Sequence, residues 1–374
     1  MATDKTHKIP NAPNLRFPGF EGEWKETIIG DVADVIGGGT PDTTVSSYWD
    51  GDIAWFTPTE IGHNKYVRKS KRTISEKGLC NSSAKLLPLG AILLTTRATI
   101  GETSITLNAC TTNQGFQSLI SKSNIDNEFL YYLIGTKKKD LFEKACGSTF
   151  MEISANEVRK IRIKAPTKQE QVRIAKFLAI LDERIETQIG AINKHESLIK
   201  AIAGELTCEG EKVRLADLVD CHSSTMQEND ITNDGPYPVY GATGICGYTD
   251  SPMCKEDAII IVKDGSGVGN IKFVSGGFSI LGTLYYMTAK QDVSIGYVYC
   301  CLVNFDFSPY KTGMAIPHIY FKDYGKGKIN IKNAAEQQKI RTLVLSLMNK
   351  LDVERQLLKQ YKLQKQYLLS QMFV

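Results

Sequence analysis

At 374 residues the chain is longer than a single hydrophobic core usually supports, so two or more modules of roughly 100 to 200 residues are expected. Its 42% hydrophobic and 23% charged residues are the composition of a folded globular protein and exclude a largely disordered one. The formal charge of +4, from 45 basic against 41 acidic residues, is too small to identify a polyanionic partner, so local clustering has to decide that.

In chain order, Met1 to Pro10 is polar and has no apolar core of a signal peptide, and no later stretch reaches 18 apolar residues. No membrane association is expected, and the place is cytoplasmic. The nine cysteines (Cys80, Cys110, Cys146, Cys208, Cys221, Cys246, Cys254, Cys300 and Cys301) show neither a CxxC pair nor zinc-finger spacing with histidine, so reduced thiols are expected. The densest basic segment runs from His63 to Lys77, with Lys65, Arg68, Lys69, Lys71, Arg72 and Lys77 against one acid, Glu76, and with Tyr66 among them. It reads either as a solvated loop or as a set of phosphate contacts.

Gly90 to Gly101 (GAILLTTRATIG) reads as a buried strand running into a glycine-containing loop. Within that loop Thr96 and Arg97 are candidate base or phosphate contacts, Arg97 because its fork fits a guanine edge. The alternative for Arg97 is an ion pair with a buried carboxylate. Phe129 to Tyr132 suggests a short helix and Ile161 to Ile163 a strand. After Pro166, Glu170-Gln171-Val172-Arg173-Ile174 opens a long run without proline. Along it Ile174, Leu178, Leu181, Ile185, Gln188, Ile192, His195, Ile199, Ile202 and Leu206 recur in steps of four and three, a heptad seam.

The same landmarks then return. Ala258 to Gly269 (AIIIVKDGSGVG) matches Gly90 to Gly101, Tyr297 to Cys300 matches Phe129 to Tyr132, Gly313 to Tyr320 matches Gly147 to Ser154, and Ile329 to Ile331 matches Ile161 to Ile163. Glu336-Gln337-Gln338-Lys339-Ile340 repeats the helix opening 166 residues on. It starts a more polar seam of Ile340, Val344, Leu347, Leu351, Glu354, Leu358, Tyr361, Lys365, Leu368 and Met372. Such a duplication predicts domain, helix, domain, helix, with the two helices pairing antiparallel. A helix of about 39 residues is roughly 58 Å long at about 1.5 Å per residue. Polar seam residues such as Gln188 and His195 are expected to set register, not to bind metal or catalyse. In the second copy Lys263 and Ser266 lie in a glycine-rich turn that lacks the Walker spacing, and Tyr310, Lys311, His318, Tyr320 and Lys322 form a basic and aromatic cluster.

With this architecture the chain resembles the specificity subunits of type I restriction-modification enzymes over nearly its full length. The resemblance is carried by Leu15-Arg16-Phe17-Pro18-Gly19-Phe20, Gly39-Thr40-Pro41, Leu87 to Gly101, Asn113-Gln114-Gly115-Phe116, Gly147 to Ser154 and Pro166 to Asp182. It implies an α+β fold of two target recognition domains, each a mixed β-sheet with short helices. Two long helices forming an antiparallel coiled coil separate them, in a pseudo-two-fold internal repeat. Four segments follow: 1–166, the N-terminal segment and first recognition domain; 167–208, the first spacer helix; 209–333, the second recognition domain; and 334–374, the second spacer helix.

The resemblance further implies a non-catalytic subunit, without cofactor or metal, that reads double-stranded DNA. Its partners would be two methyltransferase subunits and, through them, restriction and translocase subunits. Leu281-Gly282-Thr283-Leu284 stands where the first half has Asn113-Gln114-Gly115-Phe116, so the two halves are expected to read different sequences and the bipartite target to be asymmetric. A methylation-only assembly, a stand-alone DNA enzyme and a coiled-coil scaffold remain open alternatives. No methyltransferase tetrapeptide, Walker loop or nucleophile elbow supports the enzyme.

Overall fold

The computed structural model describes residues 11–145, 151–232, 234–290 and 293–374. The chain divides into two compact units, one running to Glu186 and including Lys359–Val374, the other Thr187–Leu358. The polar N-terminus Met1 to Pro10, Cys146 and the first half of the Gly147 to Ser154 motif lie outside the described residues.

Both units are built on the same sheet. In the first, the strand order is Ala33–Gly37, Gln117–Ser121, Ile92–Leu94 and Thr103–Thr106, with Tyr66–Val67 added in parallel at the edge. In the second it is Val219–Ser223, Leu284–Ala289, Ala258–Val262 and Ile271–Val274, antiparallel throughout. The central strands Ile92–Leu94 and Ala258–Val262 are buried at every position, which is why they read as unbroken apolar runs and not as alternating ones.

A smaller three-stranded sheet accompanies each. It is centred on Trp49–Phe56 in the first unit and on Tyr237–Gly241 in the second. A two-stranded ladder then leads into each long helix, Lys25–Ile28 with Arg162–Ala165 and Glu211–Arg214 with Lys328–Ile331. The expected short helices are Asn127–Thr136 and Ile295–Leu302, capped by the side chains of Asp126 and Ser294.

The long helices are Lys168–Thr207 and Ala334–Met372. In the first unit Ile174, Leu178 and Leu181 are buried in one core with Leu368 and Met372, and Ile185 packs against it. In the second, Ile192, Ile199 and Ala203 share a core with Ile340, Val344 and Leu351, with Leu347 and Leu358 at its margin. The start of one helix meets the end of the other, so the pairing is antiparallel. One seam position is corrected: Ile202 is half-buried, and its neighbour Ala203 is fully buried instead. A period of 3.5 lags a straight α-helix by about 20° per heptad, and four heptads separate Ile174 from Ile202, so the lag has grown to most of one residue step.

The polar seam residues meet one another. The Gln188 amide donates to the Glu354 carbonyl at 3.4 Å, and His195 Nδ1 lies 2.7 Å from the Glu354 carboxylate. Beside them Arg355 pairs with Glu196 at 2.7 Å. Slipping the helices by one turn would bring these groups against apolar side chains, so they fix register.

The repeated Glu-Gln pair at the helix openings has a specific task. Gln171 accepts from the Asp126 N–H at 2.7 Å and donates to the Pro166 carbonyl at 2.9 Å. Gln337 accepts from the Ser294 N–H at 3.1 Å and donates to the Lys332 carbonyl at 2.8 Å. Both glutamines are buried, and each ties a long helix to the cap of the short helix in its own unit. Gln171→Ala and Gln337→Ala should therefore each cost about 1–3 kcal/mol, because backbone groups are left buried without partners. Chemical denaturation of the two variants should show losses of similar size, and a large loss in one with none in the other would break the equivalence.

Burial also sorts the thiols. Cys80 and Cys208 are exposed, whereas burial pushes Cys110 up to about 11 and Cys300 and Cys301 up to about 12. At pH 8 an alkylating reagent should modify Cys80 and Cys208 in the native protein and reach the other three after denaturation, as peptide mapping can check.

Candidate nucleic-acid interface

In the first unit the basic segment splits into two chemically different parts. Arg68, Lys69 and Lys71 are exposed in the connection between the strands Tyr66–Val67 and Arg72–Ile74. Their backbone is held, since Glu60 accepts from the Lys71 N–H at 2.6 Å. Among the described residues none of these three side chains pairs with an acid. Arg72 is placed by stacking, its guanidinium 3.6 Å from the Trp49 ring centre, while Trp55 meets Trp49 edge-on.

Two expected contacts are corrected. Lys65 is buried: its ammonium donates to the Tyr132 hydroxyl at 2.8 Å and pairs with Glu128, and Asp182 lies 4.0 Å away. A lysine neutralised inside the unit cannot reach a phosphate. Thr96 is wholly buried, and its backbone joins Gly115 and Ile153, so its hydroxyl does not face a duplex.

Arg97 does face solvent. It pairs at 2.7 Å with Glu152, a carboxylate that is itself exposed, so neither a free guanidinium nor a buried ion pair describes it. The loop needs its glycine, because Gly101 has φ +85° and a Cβ there would sit 3.1 Å from the Lys138 side chain. Behind Arg97 the structure gathers motifs that are distant in sequence. Thr40 donates to Gln114 at 2.5 Å, the Gly39 N–H donates to Thr112, and the Thr96 N–H donates to the Gly115 carbonyl. Gln114 is exposed and polar, a side-chain type that can read adenine, and sequence reasoning did not single it out as a contact. Its position in a Gly-flanked turn just before a buried strand was the available signal.

The second unit places its candidates at the matching end of its sheet. The Lys263 carbonyl accepts from the Ile319 N–H at 3.0 Å, as the Thr96 carbonyl accepts from Ile153 at 3.2 Å. Asp264 bridges His318 where Arg97 bridges Glu152. The turn Lys263 to Gly269 is held by the Gly265 N–H on the Pro317 carbonyl and the Gly269 N–H on the Val262 carbonyl. Lys263 lies over the Tyr285 ring, Ser266 is exposed, and Lys322 lies over Tyr320, which meets His318 edge-on. Lys311 is exposed, whereas Tyr310 stacks on Phe305 and so serves packing more than contact. Lys263, Ser266, Lys311 and His318 thus belong to two loops joined by backbone hydrogen bonds, and Lys322 lies in the short helix Phe321–Tyr324 that follows.

Among the described residues no group of three or more His, Cys, Asp or Glu side chains is placed to hold a metal ion, and no helix is long and apolar enough to cross a membrane.

Comparison with known proteins bears on the same two halves. The family model for the type I restriction modification DNA specificity domain matches residues 21–194 and again residues 209–363. The type I restriction enzyme MjaIX specificity subunit of Methanocaldococcus jannaschii is 37% identical over 203 residues, 50% of this chain and 46% of that relative. The chain therefore spans about half the length of that relative. The EcoprrI specificity subunit of Escherichia coli is 23% identical over 330 residues, 80% of each chain. Among solved structures, the S subunit of a type I restriction-modification system from M. genitalium superimposes with a TM-score of 0.66 at 18% identity, covering 97% of this chain and 99% of that one, a likeness of fold.

Proposed function

The chain belongs to the type I restriction modification DNA specificity family, and from that premise we propose that it is the non-catalytic DNA-reading subunit of a restriction-modification complex. Each sheet unit reads one half of a bipartite target in double-stranded DNA, and the helices set the separation of the halves. The functional segments are 1–166 and 209–333 for reading, 167–208 and 334–374 for spacing. One observation carries the reading: both units present, at the same end of the same sheet, a pair of hydrogen-bonded loops with polar and charged tips, and the tips differ. Arg97 with Glu152 in one and Asp264 with His318 in the other offer different patterns to a base edge, which makes the target asymmetric.

The helices also leave apolar side chains uncovered. In the first unit Ile180, Leu363 and Tyr367 are exposed, and in the second Leu198, Leu343, Val353 and Leu357. Exposed apolar residues on helices whose seams are already paired suit protein partners, and we assign them to methyltransferase subunits, two for the two halves, which in turn carry restriction and translocase subunits. The assembly would act in the cytoplasm. Co-expression with candidate methyltransferase subunits, followed by genome-wide mapping of modified bases, tests this reading. A split, asymmetric modified motif is expected. A continuous motif, or catalysis by the purified chain alone, would overturn it.

A further inference from the structure

We propose that Met314 and Ile316 form an apolar finger that packs against the bases of the half-site read by the second unit; this rests on the reading of that unit as a half-site reader. The finger is a tight turn. The Thr312 N–H donates to the His318 carbonyl at 2.9 Å and the His318 N–H returns to the Thr312 carbonyl at 2.8 Å. Gly313 has φ +87°, and a Cβ there would sit 2.4 Å from the Ile316 carbonyl oxygen, so no other residue fits the bend. The Gly265 N–H donating to Pro317 at 2.9 Å pins the turn to the neighbouring loop.

At its tip Met314 is fully exposed and Ile316 is 67% exposed. A single exposed apolar residue carries no information, but two on one pinned turn need a partner. The surroundings select which one. Lys311 and Lys322 are exposed, and His318 and Tyr320 stand at the base of the turn. A protein partner would be met by a broader apolar margin, whereas cations around a small apolar tip match a duplex, with anionic phosphates outside and apolar base faces and thymine methyls within. Two modes share this chemistry: wedging into a base step, and contact with a thymine methyl in the groove.

The test uses the complex reconstituted with its methyltransferase subunits and a duplex carrying the motif it modifies. Met314→Ala/Ile316→Ala should weaken binding to that duplex about tenfold or more, leave a random duplex unaffected, and make the modified motif degenerate in one half only. Met314→Leu/Ile316→Val should restore both. With the parent protein, 2-aminopurine that brightens at one step of that half identifies a wedge, and weaker binding after thymine-to-uracil replacement identifies methyl contact. If the alanine variant keeps parental affinity and motif, or if its loss is not restored by the Leu/Val variant, the finger is not a base contact and the half-site reading stands. If the parent complex yields no bipartite motif, both fall.

Discussion

Replacing Asp182 with alanine is expected to lower the stability of the first unit by about 1–3 kcal/mol, the cost of leaving hydrogen-bonded and paired groups short of an acceptor. Asp182, on the first long helix, accepts from the Tyr132 hydroxyl at 2.6 Å and pairs with Lys365, on the second long helix, at 2.5 Å. Through Tyr132 it also holds Lys65, whose side chain is 5% exposed. Removing the carboxylate leaves buried Lys65 with Glu128 as its acid and with a hydroxyl whose own ionisation is pushed up, first by burial and then by the Asp182 hydrogen bond. Lys365 and Glu128 are better placed to recover water, being 25% and 31% exposed.

All three tryptophans, Trp24, Trp49 and Trp55, lie in the first unit, so urea unfolding followed by tryptophan fluorescence reports that unit. The midpoint should fall in Asp182→Ala and recover substantially in Lys65→Met/Asp182→Leu, because an apolar pair of similar volume removes the charge along with its partner. A loss below about 1 kcal/mol would mean that water already screens the cluster.

The same cluster shows where sequence reasoning stops. Lys65 sits in the densest run of cations, and nothing in its neighbourhood distinguishes it from Arg68 or Lys69. What buries it is Tyr132 and Asp182, 67 and 117 residues away. Among its described residues the second unit shows no such device: Met348 stands at the repeat position of Asp182 and packs in an apolar core with Cys300. A duplicated fold therefore does not imply duplicated polar contacts.

The helices were legible because their stripes depend on local spacing alone, and the slip from Ile202 to Ala203 is the amount by which a 3.5-residue template departs from an α-helix. The repeated Gln171 and Gln337 were visible as a motif, but their task was not, since the N–H groups they accept from lie at Asp126 and Ser294. Loop tips were the least legible part. Thr96 and Arg97 are adjacent in sequence and equally suited to hydrogen bonding, yet backbone bonds to Gly115 and Ile153 turn Thr96 inward and leave Arg97 facing water.

Replacing Arg68, Lys69 and Lys71 together with alanine is expected to flatten the salt dependence of DNA binding. Each phosphate neutralised on a duplex contributes about 0.9 to the slope of log affinity against log salt, so three contacts contribute about 2.7. Between 50 and 200 mM salt the parent complex should then lose roughly 40-fold more affinity than the variant, on any sequence. Arg72 is left in place because its guanidinium lies on Trp49, and its loss would disturb packing as well as charge.

Arg97→Ala provides the contrast. A side chain at a base edge is worth about 1–3 kcal/mol of discrimination at its own position, so this variant should relax one position of the modified motif while keeping most of the salt slope. Titrations of both variants on the modified duplex and on a random one separate the two roles. If the triple variant keeps the parental slope, the exposed cations are a solvated loop and the phosphates are held elsewhere. If Arg97→Ala changes the slope and leaves the motif intact, Arg97 is a phosphate clamp, and base reading in the first unit shifts to Gln114, an exposed hydrogen-bonding side chain of that cluster.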